Sequence, residues 1–478
     1  DVVRSYPAGS VVVMADERVG EVQFAALRQR GLEGAEPWRE IVKALLTALL
    51  ASVPVAFYLR TYRAREWRAP RKLLLLACLF AGFALTVEAV TLLAPETVSG
   101  WRYLVPVGAV AMLATILFDP PIGVLTAIPT TAMVAFEAPG ESGAIAFAAV
   151  ASLASVPFVS RLSARTDLRS AAVRSTAVYV LLAAVCSAVF DDLASVELAV
   201  LAGLLNGVGV AMLVNTALPF LESLFGVVTA TSLLDLADRN HPLLRELEQK
   251  ALGSYNHSIM VSQMVERACR AIGADGLLGS VAALYHDIGK VRRPYFFVEN
   301  QIGIPNPHDD LEPAVSAVII QDHVTDGVKI GRTYRLPPEV VEGIATHHGT
   351  TLVTYFHRKA LRAARDGQEV EEAHFRYKGR KPSGREMAVL MLADCCEAAS
   401  RSAAQQDRNL SRHALEVIVR TLVAERVEDG QLDESSLAFR DLRAVTESFI
   451  QTLAGVYHPR IAYPDPVAPA VQTERVEP

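Results

Sequence analysis

The chain is poor in charged residues, cysteines and aromatic residues for its length. Of its 478 residues only 21% are charged and 7% aromatic, and the net charge is −6. This balance argues against a broad basic face, so no nucleic-acid polymer is expected as a partner. The five cysteines include no CxxC pair and no spacing typical of a secreted disulfide scaffold, which indicates reduced packing residues. Hydrophobic residues are in excess, at 51% with a mean hydropathy of +0.27, which is too apolar for an ordinary soluble enzyme.

Apolar runs follow one another between about Trp38 and Gly226. They cover residues 39–60, 72–94, 102–118, 121–138, 142–160, 174–191 and 195–219. A helix that spans a bilayer needs about 20 apolar residues, and several of these runs are near the short limit. Any single run is also compatible with a buried helical hairpin of a soluble protein. Seven in succession favour a seven-helix transmembrane bundle over residues 38–220.

The connectors between these runs differ in charge, and this difference predicts the topology. Two short connectors are strongly basic: the first holds Arg60, Arg63, Arg65, Arg68, Arg71 and Lys72, and the later one holds Arg161, Arg165, Arg169 and Arg174. The connectors around Pro95-Glu96, Glu137–Glu141 and Asp191-Asp192 are acidic or neutral. Basic connectors stay in the cytoplasm. In the cell membrane (inner or plasma membrane), the N-terminus is therefore expected outside and the C-terminal half inside.

The remaining segments complete the predicted organisation. Residues 1–37 are mixed and polar and are interpreted as the remnant of a larger extracytoplasmic domain. Residues 221–245 form an amphipathic connector, and residues 459–478, rich in Pro, Val and Ala, are predicted to be disordered. Between them, residues 246–458 show apolar residues at spacings of three and four with no alternating strand pattern. The whole chain is therefore predicted to be all-α.

The C-terminal half contains a set of side chains that typically bind metals. They are His257, His286-Asp287, His323, His347-His348 and Asp394. A single histidine at a helix end is usually a cap or a surface residue, but a His-Asp pair and a His-His pair indicate metal binding. Facing helices of a bundle can bring such residues to one pocket, and imidazoles with carboxylates suit iron, manganese or zinc better than magnesium. Cys395-Cys396 follow Asp394 directly, but adjacent helical residues face different ways.

Longer motifs surround these residues. Tyr285-His286-Asp287-Ile288-Gly289-Lys290 is the core signature of HD-domain phosphohydrolases. Further stretches are Gly253–Ser258, Arg293–Gln301, Asn306–Asp309, His347–Thr350 and Leu392–Ala398. Together they resemble the seven-transmembrane HD family of cyclic di-AMP phosphodiesterases, over about 230–456 by motif and 38–220 by architecture. Leu252, Asn256 and the run Gly379–Pro382 depart from the family pattern without removing a ligand.

The resemblance implies a fold, an activity and a role for each residue. It implies a cytosolic all-helical HD domain that hydrolyses cyclic di-AMP to linear pApA with two divalent metal ions, iron or manganese. His257, His286, Asp287 and Asp394 would hold one ion, and Asp287 would bridge to a second ion held by His323, His347 and His348. Asp287 and Lys290 are the expected catalytic residues, with Lys290 on the phosphate. Substrate contacts are expected from Arg293, Asn300, Asn306 and His308.

Two alternatives remain at this point. The first is an HD hydrolase of another nucleotide: cyclic di-GMP, ppGpp or a deoxynucleoside triphosphate. Enzymes specific for cyclic di-GMP carry a Gly-Tyr-Pro motif after the paired histidines, whereas this chain reads His348-Gly349-Thr350-Thr351-Leu352. The second is a membrane receptor that binds a nucleotide without catalysis, which a missing ligand would have favoured. The expected partners are a cyclic dinucleotide, the lipid bilayer and an unknown extracytoplasmic signal; a homodimer is left open.

Overall fold

The structure is a computed structural model that describes residues 11–14, 17–29, 37–93, 99–160, 162, 165–301, 303–365, 369–407 and 410–457. Several predictions fall outside these ranges: most of the polar N-terminal segment, the Pro95-Glu96 connector, Arg161 and the tail 459–478. The chain divides into two compact units, residues 1–225 and 226–478. In the described part of the chain, the regular elements are helices, with one isolated bridge between Leu352 and Arg376. The prediction of an all-α protein is confirmed.

The first unit is built from long apolar helices. After a short α1 (Glu21–Gln29), and with a four-residue α3 (Ala64–Trp67) between the first two, they are α2 (Pro37–Tyr62), α4 (Pro70–Leu93), α5 (Val107–Leu117), α6 (Pro120–Glu137), α7 (Ser142–Val159), α8 (Arg165–Phe190) and α9 (Val196–Phe225). A 3-10 helix over Ser99–Leu104 precedes α5. Among the described residues, six segments are long and apolar enough to cross a membrane, and α6 is the predicted run that is not one of them. Its three prolines and terminal glutamate make α6 less apolar than its neighbours.

The connectors at the two ends of α6 contact different groups of residues. At its start, Asp119 caps the helix and accepts a hydrogen bond of 2.6 Å from Nε of Arg63 in the first basic connector. Beyond its other end, Glu141 pairs with Arg102 at 2.6 Å. The 3-10 helix that holds Arg102 also holds Tyr103, whose hydroxyl donates to Asp191 between α8 and α9. The first basic connector therefore lies near the start of α6, whereas the acidic connectors around Glu141 and Asp191 lie together near its other end.

Polar side chains inside this unit form hydrogen bonds with backbone groups that a lipid environment could not supply. Pro106 has no N–H and interrupts the helical ladder before α5. The carbonyl of Tyr103, three residues before Pro106, accepts a hydrogen bond of 2.6 Å from Nδ2 of Asn206 on α9. The Val105 carbonyl accepts one of 2.8 Å from the same nitrogen, in addition to the one from the Val107 amide. An unsatisfied carbonyl would be costly in hydrocarbon, so this buried asparagine fixes α9 against the break.

The second unit is a bundle of amphipathic helices. They are α10 (Ala230–Leu236), α11 (Pro242–Lys250), α12 (Leu252–Ala271), α13 (Gly276–Tyr285), α14 (Pro313–Thr333), α15 (Pro338–Thr346), α16 (Thr354–Ala363), α17 (Arg385–Gln406), α18 (Arg412–Glu428) and α19 (Phe439–Val456). The helices α12, α13 and α17–α19 bury one apolar core. A second core lies between α10–α15. Both cores include residues of α12 and α13, so these two helices connect them.

Candidate metal centre and catalytic cavity

The structure brings the predicted metal ligands of the C-terminal half into one cluster. They come from five helices: His257 on α12, His286 and Asp287 after α13, His323 within α14, His347 and His348 after α15, and Asp394 within α17. The apolar periodicity of residues 258–272 predicts a helix that His257 begins, but His257 lies within the helix. The helix begins at Leu252, and polar residues in its first turn hid the pattern. All seven residues are buried except His348, whose side chain is 25% exposed.

Asp287 lies between two sets of imidazoles. Its Oδ1 is 3.4 Å from Nε2 of His323 and 3.8 Å from Nε2 of His347. Its Oδ2 is 3.4 Å from Nε2 of His286 and 3.8 Å from Nε2 of His257. One carboxylate therefore offers a different oxygen to each set, which is the arrangement a bridging ligand needs.

Asp394 completes the cluster on the side away from His323. Its Oδ1 is 2.9 Å from Nε2 of His257 and 3.7 Å from Nε2 of His286, while its Oδ2 is 3.5 Å from Nδ1 of His348. Three groups have ligand atoms within 4.8 Å of one another: His323, His347 and His348; His257, His286 and Asp394; and His286, Asp287 and His347. Asp287 belongs to the group that joins the other two.

The hydrogen bonds of the imidazoles leave their lone pairs facing inward. Nδ1 of His286, His323 and His347 lies 2.6–2.8 Å from the carbonyl oxygen three residues earlier. A carbonyl only accepts, so Nδ1 carries the proton and Nε2 of each neutral ring is a lone pair. Nε2 of His323 and of His347 then face each other at 3.1 Å, and Nε2 of His286 has no hydrogen-bond partner among the described residues. Lone pairs this close repel unless a cation lies between them, so the residues fit a metal ion.

Burial and charge keep the donors in metal-binding protonation states. Burial lowers the pKa of His323 and His347, and it lowers that of His348 to about 3, so these rings are neutral at pH 7. Burial alone would raise the pKa of Asp287 and of Asp394. The charges of His286 and Lys290 instead hold the pKa of Asp287 well below its usual range, and the hydrogen bond from His257 together with the charge of His286 does the same for Asp394. His323, His347 and His348 thus offer neutral imidazoles beside two carboxylates, the combination that transition metals prefer.

Glu397 was not assigned a role from the sequence. It lies one turn after Asp394 on α17 and makes a short hydrogen bond to Nδ1 of His257. Burial would lower the pKa of His257, but the hydrogen bonds that its ring donates to Asp394 and Glu397 raise it to about 10. A carboxylate on the second nitrogen of a ligating imidazole fixes the orientation of the ring and makes it a stronger ligand. In the sequence, Asp394 and Glu397 are three residues apart on one helix, and this spacing places both acids on the same face.

Lys290 lies beside the cluster, between two carboxylates. Its Nζ is 2.7 Å from Oδ2 of Asp287 and 2.8 Å from Oε1 of Glu299, and it lies 4.9 Å from the centre of the Phe297 ring. Burial would lower its pKa, but the two carboxylates raise it, so the ammonium stays charged. Burial would raise the pKa of Glu299, but Lys290 lowers it to about 2. Ser254 also donates to Glu299 at 2.8 Å, which ties the loop after Lys290 to α12.

A cavity of about 320 Å³ opens beside the cluster. Four of the seven predicted ligands line it together with Lys290, Glu299, Tyr377, Arg401, Arg426 and several apolar side chains. The ring of Tyr377 stacks on His348 with centroids 4.3 Å apart. The cavity thus has a polar floor, made of the candidate ligands, and walls that are apolar and basic.

The four predicted substrate contacts lie outside the cavity lining; Arg293 and Asn300 bond to α14 and α12, and Asn306 and His308 bond within their own loop. The partners are Asp322 for Arg293, Ser254 for Asn300, Gln301 and the His308 amide for Asn306, and the Phe296 carbonyl for His308. None of the four lines the cavity. A segment rich in proline and asparagine uses its side chains to cap its own turns. Of this segment, Val298 and Glu299 line the cavity. The role of the other four residues in binding a substrate stays a prediction.

The chain matches two described families. Residues 38–229 match the family "7TM receptor with intracellular HD hydrolase", and residues 254–399 match the HD domain. The second match contains all seven residues of the cluster. The first match, together with the apolar helices, makes this a multi-pass membrane protein.

Among curated proteins, the chain is similar to the cyclic-di-AMP phosphodiesterases PgpH of Bacillus subtilis and Listeria monocytogenes. It is 32% identical to the first over 96% of this chain and 33% identical to the second over 77%. It spans 65% and 51% of the lengths of these two relatives. An uncharacterised protein of Synechocystis is 39% identical over 56% of this chain and 33% of its own length.

A crystal structure of the HD domain of L. monocytogenes PgpH is 39% identical and covers 46% of this chain and 100% of that domain, with a TM-score of 0.43. A second structure of that domain, in complex with cyclic di-AMP, is 38% identical with the same coverage and TM-score. The two family matches lie one after the other in this chain, in the order that a transmembrane receptor with an intracellular hydrolase requires. Residues 38–229 thus belong to the family of 7TM receptors with an intracellular HD hydrolase, and residues 254–399 are an HD domain.

Proposed function

We propose that this chain is a membrane-bound, metal-dependent phosphodiesterase that hydrolyses cyclic di-AMP to linear pApA. The observation that carries the proposal is the position of Asp287, whose two oxygens face separate sets of imidazoles. A phosphodiesterase of this class needs two ions joined by one carboxylate. The substrate follows from relatives named as cyclic-di-AMP phosphodiesterases at 32% and 33% identity.

The HD domain implies that divalent metal is bound, and the number and identity of the ions belong to the proposal. We assign one ion to His257, His286 and Asp394, a second ion to His323, His347 and His348, and Asp287 to both. Iron or manganese suits this mixture of imidazole and carboxylate. When bound, two such ions lower the pKa of a water and withdraw charge from the phosphate oxygens.

The other residues of the cavity would bind and orient the substrate. Lys290 carries a charge that its surroundings stabilise, and its ammonium lies within reach of a phosphate on the ligand cluster. Leu352, Val353 and Met391 line the same cavity and supply apolar surface for a base. Tyr377, held flat against His348, adds an aromatic face on which a base can stack. The cavity therefore combines a phosphate end with a base-binding wall.

The direct test is a substrate panel with the full chain in detergent or nanodiscs, supplied anaerobically with iron or aerobically with manganese. We expect cyclic di-AMP to be converted to pApA, and cyclic di-GMP and ppGpp to be cleaved much more slowly. A metal-loaded chain that ignores cyclic di-AMP but cleaves another nucleotide would overturn the substrate assignment. Tight binding of cyclic di-AMP without hydrolysis would instead identify a receptor.

The carboxylate behind His257 gives a prediction about metal affinity. Glu397→Gln keeps the size of the side chain but removes its negative charge, so the ring of His257 becomes a weaker ligand. We expect metal affinity to fall about ten- to a hundredfold, with activity restored at high metal concentration. The measurement is activity as a function of free Mn²⁺. Glu416→Gln on α18, where the glutamate pairs with Arg412, is the control and should leave the titration unchanged. Loss of activity that no metal concentration restores would contradict this role.

The orientation in the membrane is a further part of the proposal, with the N-terminus outside and the HD domain in the cytoplasm. The contact of Arg63 with Asp119 supports it, because the sequence predicts both connectors on the cytoplasmic side. The contacts of Arg102 with Glu141 and of Tyr103 with Asp191 join connectors predicted outside. We expect reporter fusions at positions 65, 167 and 470 to read as cytoplasmic and a fusion at 140 as external. An external signal at any of the first three would refute the orientation.

We also propose the division into a transmembrane region over 38–220, a connector over 221–245 and an HD domain over 246–458. The family matches at 38–229 and 254–399 support these bounds. An extracytoplasmic signal is part of this proposal, since a receptor with an intracellular hydrolase needs a stimulus to transmit. A homodimer stays open.

A further inference from the structure

The cavity has a basic wall that the metal ligands do not use. Arg401 and Arg426 both line it, and neither was singled out from the sequence. Arg401 lies on α17, seven residues after Asp394 and three after Ala398, and all three residues line the cavity. This spacing places them on one face of the helix. Arg426 comes from the last turn of the neighbouring helix α18.

The cations that line the cavity differ in how closely carboxylates compensate their charge. Lys290 is paired with Asp287 and Glu299, both within 2.8 Å. Among the described residues Arg401 has one ion pair, from Nε to Glu397 at 3.4 Å, and that carboxylate also accepts a hydrogen bond from His257. A guanidinium has five N–H donors, so most of those on Arg401 remain available.

The charge of Arg426 is compensated even less than that of Arg401. Within the part of the chain that the structure describes, it has no ion-pair partner within 4.0 Å. Asp429, one turn further along, is bound by Arg376 instead, with two nitrogens within 3.2 Å of its oxygens. The outer wall of the cavity therefore has an excess of positive charge that faces the space where a substrate binds.

We propose that Arg401 and Arg426 form a second anion subsite, which binds the phosphate of a cyclic dinucleotide that is not being cleaved. This inference rests on the proposed function, because a cyclic dinucleotide carries two phosphodiesters and only one can lie on the metal ligands. The other needs its own counter-charge, and guanidinium groups match phosphate in geometry and stay charged. The subsite selects substrates with two phosphates over simple phosphodiesters.

The test compares two substrates on the manganese-loaded full chain. Cyclic di-AMP has a second phosphate, whereas bis(4-nitrophenyl) phosphate has one phosphodiester and no group for the subsite. For Arg426→Gln we expect the ratio of kcat/KM for cyclic di-AMP to that for bis(4-nitrophenyl) phosphate to fall about ten- to a hundredfold, chiefly through KM. Arg426→Lys should recover part of the ratio, and the double variant with Arg401→Gln should lower it further.

The matched control is Arg420→Gln, an arginine on α18 that lies outside the cavity. Its ratio should stay at the wild-type value. Equal losses on both substrates, or an unchanged ratio in Arg426→Gln, would overturn the subsite while leaving the proposed function intact. A wild-type chain that cleaves bis(4-nitrophenyl) phosphate but not cyclic di-AMP would overturn the proposed function and the subsite together.

Discussion

Asp287→Asn is expected to abolish hydrolysis of cyclic di-AMP and to lower metal content at both positions at once. The two oxygens of Asp287 face His323 and His347 on one side and His257 and His286 on the other. A neutral amide supplies no charge to either ion, and one of its two ends is a donor that points at a cation. The contribution of metal ions to such a reaction is several kcal/mol, so we expect a loss of roughly a thousandfold or more.

The measurement is turnover together with metal per chain by elemental analysis. Asp322→Asn is the matched control, since this carboxylate precedes His323 directly but faces outward to Arg293 with 39% of its side chain exposed. The control should keep both metals and near-normal turnover. If Asp287→Asn also kept two metals per chain and near-normal turnover, the assignment of a bridging carboxylate would be refuted.

Lys290→Met is expected to lower turnover about ten- to a thousandfold while both metals remain bound. Methionine has a similar length and no charge, so it removes the ammonium that we assign to the phosphate. An electrostatic contact of this kind contributes a few kcal/mol to the transition state. The measurement is kcat at saturating metal, with metal content determined on the same sample.

The neighbour of Lys290 allows two causes of that loss to be separated. In Lys290→Met the buried carboxylate of Glu299 loses its cationic partner and keeps Ser254 as a donor. The double variant Lys290→Met with Glu299→Gln removes this stranded charge. If turnover recovers in the double variant, the single change acted through Glu299. If turnover stays low, Lys290 acts on the phosphate. Loss of metal in the single variant would show that Lys290 mainly holds Asp287.

Features that depend on local chemistry were predictable from the sequence. The His286-Asp287 and His347-His348 pairs could be singled out as candidate ligands because few other roles suit two such residues together at a helix end. The apolar runs predicted the long helices, since periodicity and length are local properties. The start of α12 was missed because polar residues in its first turn hid the apolar pattern. The seventh span, α6, stays a prediction because its three prolines make it less apolar than the adjacent helices α5 and α7.

The role of Glu397 and the positions of Arg401 and Arg426 required the structure. Glu397 is 140 residues from His257 along the chain, and no pattern within either helix relates the two. Arg401 is one of many arginines on exposed helix faces, and only the packing of α17 against α18 puts it beside Arg426 in a cavity. Only the structure shows the partners of Arg293 and Asn300, which are Asp322 on α14 and Ser254 on α12.

The sequence by itself therefore determined the class of protein, the helical fold and which side chains are the candidate metal ligands, because these depend on composition, periodicity and residue chemistry within short segments. The tertiary structure alone decided which oxygen of Asp287 faces which imidazoles, which carboxylate supports His257 and which cations line the cavity. Those relations join residues on different helices. They are set by how apolar faces pack over long separations, and a local pattern of residues carries no information on that packing.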